Sequence, residues 1–179
     1  FSELFGVEPT VTEDGSRWRV RSYRENLVDL LADGVGLPTG EAAVEKAVPE
    51  AIMRSPAPVV AEFLRGLFDA DGHAGEQGAI LSTKSPALSR QVLLLLTNFG
   101  ILGRRREQSD GCYHVHLTGE SAATFADEIG FGYPEKQAAM AAYLDGLSWV
   151  ESDDWTDEVV AVETGTADVY DVSVADTHR

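Results

Sequence analysis

The stretch from Leu64 to Gly72, which reads LRGLFDADG, constrains the fold of this 179-residue chain more than any other. Apolar residues recur at helical spacing before and within it, which predicts a buried helix that stops at the glycine. These residues are Val60, Phe63, Leu64, Leu67 and Phe68. Two upstream prolines suit the start of that helix.

Small and acidic residues set this helix apart from an ordinary amphipathic one. Gly66 and Ala70 lie four apart on one face, which lets a second helix approach almost to backbone contact. Asp69 and Asp71 lie at the C-terminal end, where the helix dipole disfavours carboxylates. We therefore expect a close helical neighbour on the small face and a compensating cation near the acids.

The charge balance is strongly acidic. The chain has 30 acidic and 14 basic residues, a formal net charge of −16, and its only lysines are Lys46, Lys84 and Lys136. Such a surface repels nucleic acid at low ionic strength. Acid excess with few lysines is typical of halophilic proteins, in which molar salt shortens the Debye length to about 3 Å. An acidic binding module is the alternative.

Several classes of protein are disfavoured by composition. No apolar run is long enough to span a bilayer, and the first residues carry no targeting signal. The single Cys112 excludes an internal disulfide framework and a cysteine-based zinc site. We expect a cytoplasmic protein with a sizeable core.

Two segments repeat one element order. Residues 1–36 and 92–132 each predict a strand, a turn, a strand and a helix, and Phe5-Gly6 and Glu25 align with Phe99-Gly100 and Glu120. We interpret this repeat as a pseudo-twofold α+β domain with an antiparallel sheet in each half. Chance similarity of two ββα units is the alternative. The offset places a first copy of the acidic helix about 24 residues before the start, so we expect this chain to be an excerpt.

Basic residues alternate along the predicted strands, which places them on one face. On a two-stranded ribbon in the DNA major groove, the guanidinium groups of arginines can make bidentate contacts with guanine or with phosphates. The candidates for DNA binding are Arg17, Arg19, Arg21, Arg104, Arg106, His114 and His116. A solvated polar sheet face is the alternative. Two histidines on one strand with no third ligand are weak support for a metal site.

The acidic stretch resembles the signature of the LAGLIDADG homing endonucleases, with seven of nine letters identical and Arg65 and Phe68 substituted. The resemblance implies that two such helices pack through their small residues, here Gly66 and Ala70. It also implies that Asp71 holds Mg²⁺ at the scissile phosphates. A core helix with a solvated Asp-Gly end is the alternative.

Two lysines extend the resemblance. Lys46 lies in the string KAVP, 25 residues before Asp71, which resembles a block of intein endonucleases whose lysine is catalytic. Lys136 is at the corresponding place in the second half. The resemblance implies that both stabilise charge or assist proton transfer. Solvated surface lysines are the alternative.

The tail predicts two strands, at residues 159–163 and 168–174. Its string VYDVSVADTH resembles the C-terminal block of inteins. The resemblance implies that Asp171 assists the branching step and that His178 assists asparagine cyclisation. A generic β-hairpin is the alternative.

Together these features predict an α+β LAGLIDADG fold in three parts: the remainder of a first half at 1–50, a second half at 51–150, and truncated splicing-domain strands at 155–179. The expected function is metal-dependent double-strand DNA cleavage by an intein-encoded endonuclease, with a composition that indicates a haloarchaeal source. Double-stranded DNA and the host exteins in cis are the expected partners, and the full-length protein is expected to be a monomer. A splicing-only intein with a decayed endonuclease and a non-catalytic DNA-binding regulator are the alternatives.

Salt dependence of folding separates the two interpretations of the charge. For a halophilic protein, the free energy of unfolding rises as KCl increases from about 0.1 to about 2 M, because salt screens repulsion among the acids. Urea titrations at several KCl concentrations measure this. A free energy that is flat or falls with salt indicates an acidic binding module.

Overall fold

The computed structural model describes residues 2–15, 17–37, 43–148 and 159–168, and for Asp14, Arg17 and Trp18 it describes the main chain only. The first part contains α1 (Ser2–Phe5), β1 (Thr10–Asp14), β2 (Arg17–Arg21) and α2 (Glu25–Asp29), followed by a π-helical turn at Leu30–Val35. The second part contains a 3₁₀ turn at Ala43–Glu45, α3 (Glu50–Met53), α4 (Ala57–Asp71), β3 (Gly72–Gly75), β4 (Gly78–Thr83) and α5 (Pro86–Thr97). It continues with β5 (Arg104–Glu107), β6 (Tyr113–Leu117), α6 (Gly119–Glu128) and α7 (Pro134–Asp145). In these ranges no helix is long and apolar enough to cross a membrane.

The signature helix forms as predicted. Pro56 caps the N-terminus of α4 and a second proline occupies its first turn, where a missing N–H costs nothing. Gly72 ends the helix because the backbone turns directly into β3 there. A Cβ at Gly72 would lie 2.4 Å from the carbonyl oxygen of Phe68, so no larger residue fits.

An antiparallel four-stranded sheet in the order β3-β4-β6-β5 supports this helix. Its inner face and the helices α4 to α7 enclose the core, because alternate strand residues are apolar. Phe68 of α4 packs on Phe125 with ring centroids 4.6 Å apart. Fully buried neighbours are Leu64, Leu81, Leu95, Leu96, Ile101, Val115, Leu117 and Met140.

The first hairpin differs from expectation on its apolar side. The sequence predicts a packed face of β2 opposite the arginines. Val11 and Val20 pair directly across the hairpin, yet they are 53 % and 56 % exposed. At these two valines the predicted packing is therefore absent.

The predicted repeat of element order is present. A hairpin followed by a helix occurs as β1-β2-α2 and again as β5-β6-α6. Glycines with positive φ stand at matched places before the first strand, in the turn and after the helix. These pairs are Gly6 and Gly100, Gly15 and Gly111, and Gly36 and Gly130. The α+β class with antiparallel sheets is confirmed, and the twofold relation stays a prediction.

The predicted strand at 159–163 is wrong for this chain. Residues 159–168 have no regular secondary structure, and Val159, Val160 and Val162 are 77 %, 89 % and 82 % exposed. Apolar alternation gives a strand only where a neighbouring strand supplies hydrogen bonds, and no described strand pairs with this segment. Most of the second predicted strand lies outside the described residues, as do Asp171 and His178.

Substitution of Gly66 tests whether the small face is open. A Cβ at Gly66 would meet nothing within 4 Å, so Gly66→Ala raises the free energy of unfolding of this chain by about 0.5–1 kcal/mol, the helix-propensity gain. Urea denaturation followed by circular dichroism measures the change.

Gly72→Ala is the matched control. Its added methyl clashes with the backbone of α4, so it lowers the free energy of unfolding. Destabilisation by Gly66→Ala as well would contradict an open face.

Candidate functional site

Asp71 lies exposed at the last position of α4. Within the described ranges, no hydrogen bond or ion pair to its carboxylate is found. Because β3 begins at the next residue, Asp71 is two residues from His73, a separation of about 7 Å at most. The carboxylate is therefore at the edge of the sheet and available to a ligand.

The Asp69 side chain has a structural role. Its carboxylate accepts hydrogen bonds from the backbone N–H groups of Gly132 and Tyr133, at 3.1 Å each. A Cβ at Gly132 would lie 2.7 Å from Asp69 Oδ2, so glycine permits this approach. The contact ties the end of α4 to the loop that begins α7.

Lys136 is the cation at the end of the signature helix. Its Nζ donates to the carbonyl oxygens of Phe68 (3.1 Å), Asp69 (2.6 Å) and Gly72 (2.6 Å). A cation at this end offsets the negative pole of the helix dipole. The compensating charge expected from the sequence is present, and it binds main-chain carbonyls.

Arg65, which replaces a residue of the signature, links α4 to α6. Its Nε donates to the carbonyl oxygen of Ile129 at 2.7 Å, at the C-terminus of α6, and it also pairs with Glu62 on α4. Nothing in the sequence pattern points to this role. The substitution joins two helices that pack on the same sheet.

The outer face of the four-stranded sheet carries imidazoles and guanidiniums in two rows. The strand registers align His73, Ile80, His116 and Arg104 in one row, and Ser82, His114 and Arg106 in the next. The sequence predicts that the two arginines share one face of their strand and that His114 and His116 share one face of theirs. His73 was missed because β3 was not predicted; its alternation with buried Ala74 is the signal that could have found it.

His116 is uncharged at neutral pH. Desolvation by burial, and then repulsion from His114 and Arg106, lowers its pKa below the usual 6.5. The rings of His114 and His116 are 5.7 Å apart. A neutral imidazole offers one donor and one acceptor, which suits contacts with base edges. Arg105 is on the opposite face, where its Nε donates to Ser89 Oγ at 2.7 Å.

The remaining predicted site residues lie apart from α4 along the chain. Lys46 has an exposed side chain, and its main-chain carbonyl accepts from Ser85 Oγ, which also caps α5. No contact between Lys46 and Asp71 is found in the described part. Arg19 and Arg21 are exposed on the separate β1-β2 hairpin, opposite Thr12 and Thr10.

The small face of α4 is uncovered. Gly66 and Ala70 are both exposed, and open space surrounds Gly66. The second helix expected on this face does not come from any described residue of the chain.

Residues 58–130 match a family model described as a LAGLIDADG-like domain. A DNA gyrase protein of Mycolicibacterium flavescens is 36 % identical over 128 residues, which is 68 % of this chain and 23 % of that protein. An A-type ATP synthase protein of Methanopyrus kandleri is 33 % identical over 98 residues, which is 55 % of this chain and 10 % of that protein. The chain thus spans less than a quarter of either curated relative.

Solved structures of the homing endonuclease I-DmoI share the fold. The complex of I-DmoI with DNA and Mn has a TM-score of 0.58 at 17 % identity, covering 74 % of this chain and 69 % of that one. A variant of I-DmoI with its target DNA in the presence of Mg has a TM-score of 0.56 at 17 % identity, covering 72 % and 66 %. The chain therefore shares the fold of the homing endonuclease I-DmoI, and its residues 58–130 match the model of a LAGLIDADG-like domain.

The lowered pKa of His116 predicts how stability depends on pH. Below about 6.5 the unfolded chain binds more protons at this position than the folded chain does. The contribution of His116 is therefore fully present above about pH 6.5 and is lost as the pH falls through its lower folded pKa.

Urea titrations from about pH 5 to 7.5 measure this contribution. The free energy of unfolding of the unmodified chain falls more steeply toward pH 5 than that of His116→Gln. Parallel curves for the two proteins would contradict the assignment.

Proposed function

We propose that this chain supplies one metal-binding carboxylate and one DNA-binding sheet of an intein-encoded LAGLIDADG endonuclease that cuts double-stranded DNA. The observation that carries the proposal is the position of Asp71. Its exposed carboxylate ends the signature helix at the edge of a face that carries three histidines and two arginines. A metal ligand and a DNA-binding surface are thereby adjacent.

The residues at the helix end fit Mg²⁺. In the described residues there is no group of three or more acidic, histidine or cysteine side chains that could hold a metal. Mg²⁺ needs no such cage, since it is commonly held by one or two carboxylates together with water and substrate phosphates. When bound, the ion activates water and stabilises the leaving oxygen.

The protein groups have separate roles in this proposal. Asp71 orients the ion, and a second carboxylate comes from another signature helix packed on Gly66 and Ala70. Lys46, with its exposed ammonium, stabilises negative charge or assists proton transfer at the phosphate. The resemblance implies the same role for Lys136, but the hydrogen bonds of Lys136 to main-chain carbonyls point to a different role.

The sheet grips DNA through its outer face. Arg104 and Arg106 clamp phosphate or read guanine, and His114 and His116 contact neighbouring groups. His73 extends the row toward Asp71. A second basic strand, formed by Arg17, Arg19 and Arg21, contacts the other part of a long site. The net charge of −16 makes high salt the natural condition for this contact.

Similarity to parts of differently named proteins supports the intein part of the proposal. Similar segments make up 23 % of a protein named for DNA gyrase and 10 % of one named for an A-type ATP synthase. A segment shared by differently named proteins is what a self-excising insertion produces. Asp171 and His178 then assist the branching and cyclisation steps of splicing, as the sequence resemblance implies.

Loss of the Asp71 carboxylate tests the nuclease directly. In the natural protein that contains this chain, Asp71→Asn lowers the Mg²⁺-dependent rate of DNA cleavage by at least about 100-fold, because the site loses a carboxylate that holds the metal, and the metal contributes several kcal/mol of transition-state stabilisation. Sequencing of cut ends from a randomised double-stranded DNA library measures cleavage. Glu76→Gln, on the β3-β4 turn, is the matched carboxylate control.

Three outcomes of this assay would contradict the proposal. Equal cleavage by Asp71→Asn and the natural protein removes the metal assignment. Site-specific binding without cleavage by the natural protein indicates a DNA-binding regulator or a decayed endonuclease. Cleavage by residues 1–179 alone contradicts the need for a second signature helix.

A further inference from the structure

The ammonium of Lys136 is fully occupied by the end of the signature helix. A lysine ammonium has three N–H donors, and three acceptors lie within 3.1 Å of Nζ, the carbonyl oxygens of Phe68, Asp69 and Gly72. The side chain is partly buried at this place. No donor remains for a phosphate or a water while these contacts persist.

These three carbonyls surround the peptide of Asp71. The carbonyls of Asp69 and Gly72 lie on either side of Asp71 in the chain, and that of Phe68 also accepts the N–H of Gly72. One ammonium therefore fixes the last turn of α4 and the first residue of β3 together. The backbone that carries the Asp71 carboxylate is held from both sides.

A second contact, made by the Asp69 carboxylate, also joins the end of α4 to α7. The Asp69 carboxylate binds the N–H groups of Gly132 and Tyr133, and Tyr133 caps the N-terminus of α7, the helix that carries Lys136. The anion thus meets the positive pole of α7 and the cation meets the negative pole of α4. We call this pair of contacts the reciprocal clamp.

We propose that Lys136 is a positioning residue of this site, which acts through the reciprocal clamp by fixing the Asp71 backbone. It does not contact DNA, stabilise the reacting phosphate or transfer a proton. This inference rests on the proposed function only in that Asp71 is the metal ligand. Of the two candidate lysines, only Lys46 is then left for the phosphate.

The chain allows a direct spectroscopic test, because it contains only three lysines. Lys46 and Lys84 are exposed, so their ammonium protons exchange rapidly with water. In residues 1–179 labelled with ¹⁵N-lysine, one ammonium ¹H–¹⁵N signal persists at neutral pH, and Lys136→Met removes it. Absence of a persistent signal, or its retention in Lys136→Met, overturns the proposal.

Amide exchange measures positioning in the same chain. Lys136→Met increases hydrogen exchange at Gly72 and His73 about five- to tenfold, the effect of losing a helix cap, while the amides of Val92 and Leu96 in buried α5 are unchanged. Lys136→Arg restores protection, since a guanidinium also donates to several carbonyls. Lys84→Met is the control. Unchanged exchange at Gly72 and His73 in Lys136→Met overturns the proposal.

Cleavage kinetics of the natural protein separate positioning from catalysis. Lys136→Met raises the Mg²⁺ concentration for half-maximal cleavage about tenfold or more, as outer-shell substitutions do, and leaves the shape of the pH–rate profile unchanged. Loss of one limb of that profile with unchanged Mg²⁺ dependence overturns the proposal. Failure of Asp71→Asn to slow cleavage refutes the proposed function instead, and the ammonium and exchange results stand independently of it.

Discussion

The reciprocal clamp is the interaction on which the site depends. A helix that ends in two aspartates is destabilised at its own C-terminus, and this chain offsets that cost with one ammonium on the terminal carbonyls. Asp69 returns the contact to the start of α7. Because one acid is used in this way, the other can face solvent. The two aspartates of the signature thus divide structure and proposed chemistry between them.

The outer face of the four-stranded sheet differs in charge from the rest of the chain. In the proposed function, a chain with a net charge of −16 requires a local surface that does not repel DNA. The strand registers concentrate histidine and arginine on one face, while Arg105 is turned inward against Ser89 and over the Tyr113 ring. Desolvation and the neighbouring His114 and Arg106 keep the pKa of His116 low, so it is uncharged at neutral pH. The face therefore offers hydrogen-bonding groups as well as positive charge.

The sequence predicted secondary structure correctly wherever the local residue pattern agrees with the packing in the fold. Helical spacing and flanking Pro and Gly predicted α4. Alternation predicted β5 and β6, with Arg104 and Arg106 on one face of β5 and His114 and His116 on one face of β6. The strands β3 and β4 were missed because β3 follows α4 without a loop and contains two glycines. The strand at 159–163 was wrong because a strand needs a partner that alternation cannot reveal. The clamp joins residues more than 60 positions apart, and no local signal records such a contact.

The proposed role of Asp71 is to hold a divalent ion at DNA, and paramagnetic broadening by Mn²⁺ tests this role most directly. Mn²⁺ is added to ¹⁵N-labelled residues 1–179 with double-stranded DNA at about 0.5 M KCl, so that non-specific binding to the acidic surface is screened. If Asp71 holds the ion, the amide signals of Asp71, Gly72 and His73 broaden first, and Asp71→Asn abolishes this effect. Broadening that begins elsewhere, or that persists in Asp71→Asn, would contradict the claim.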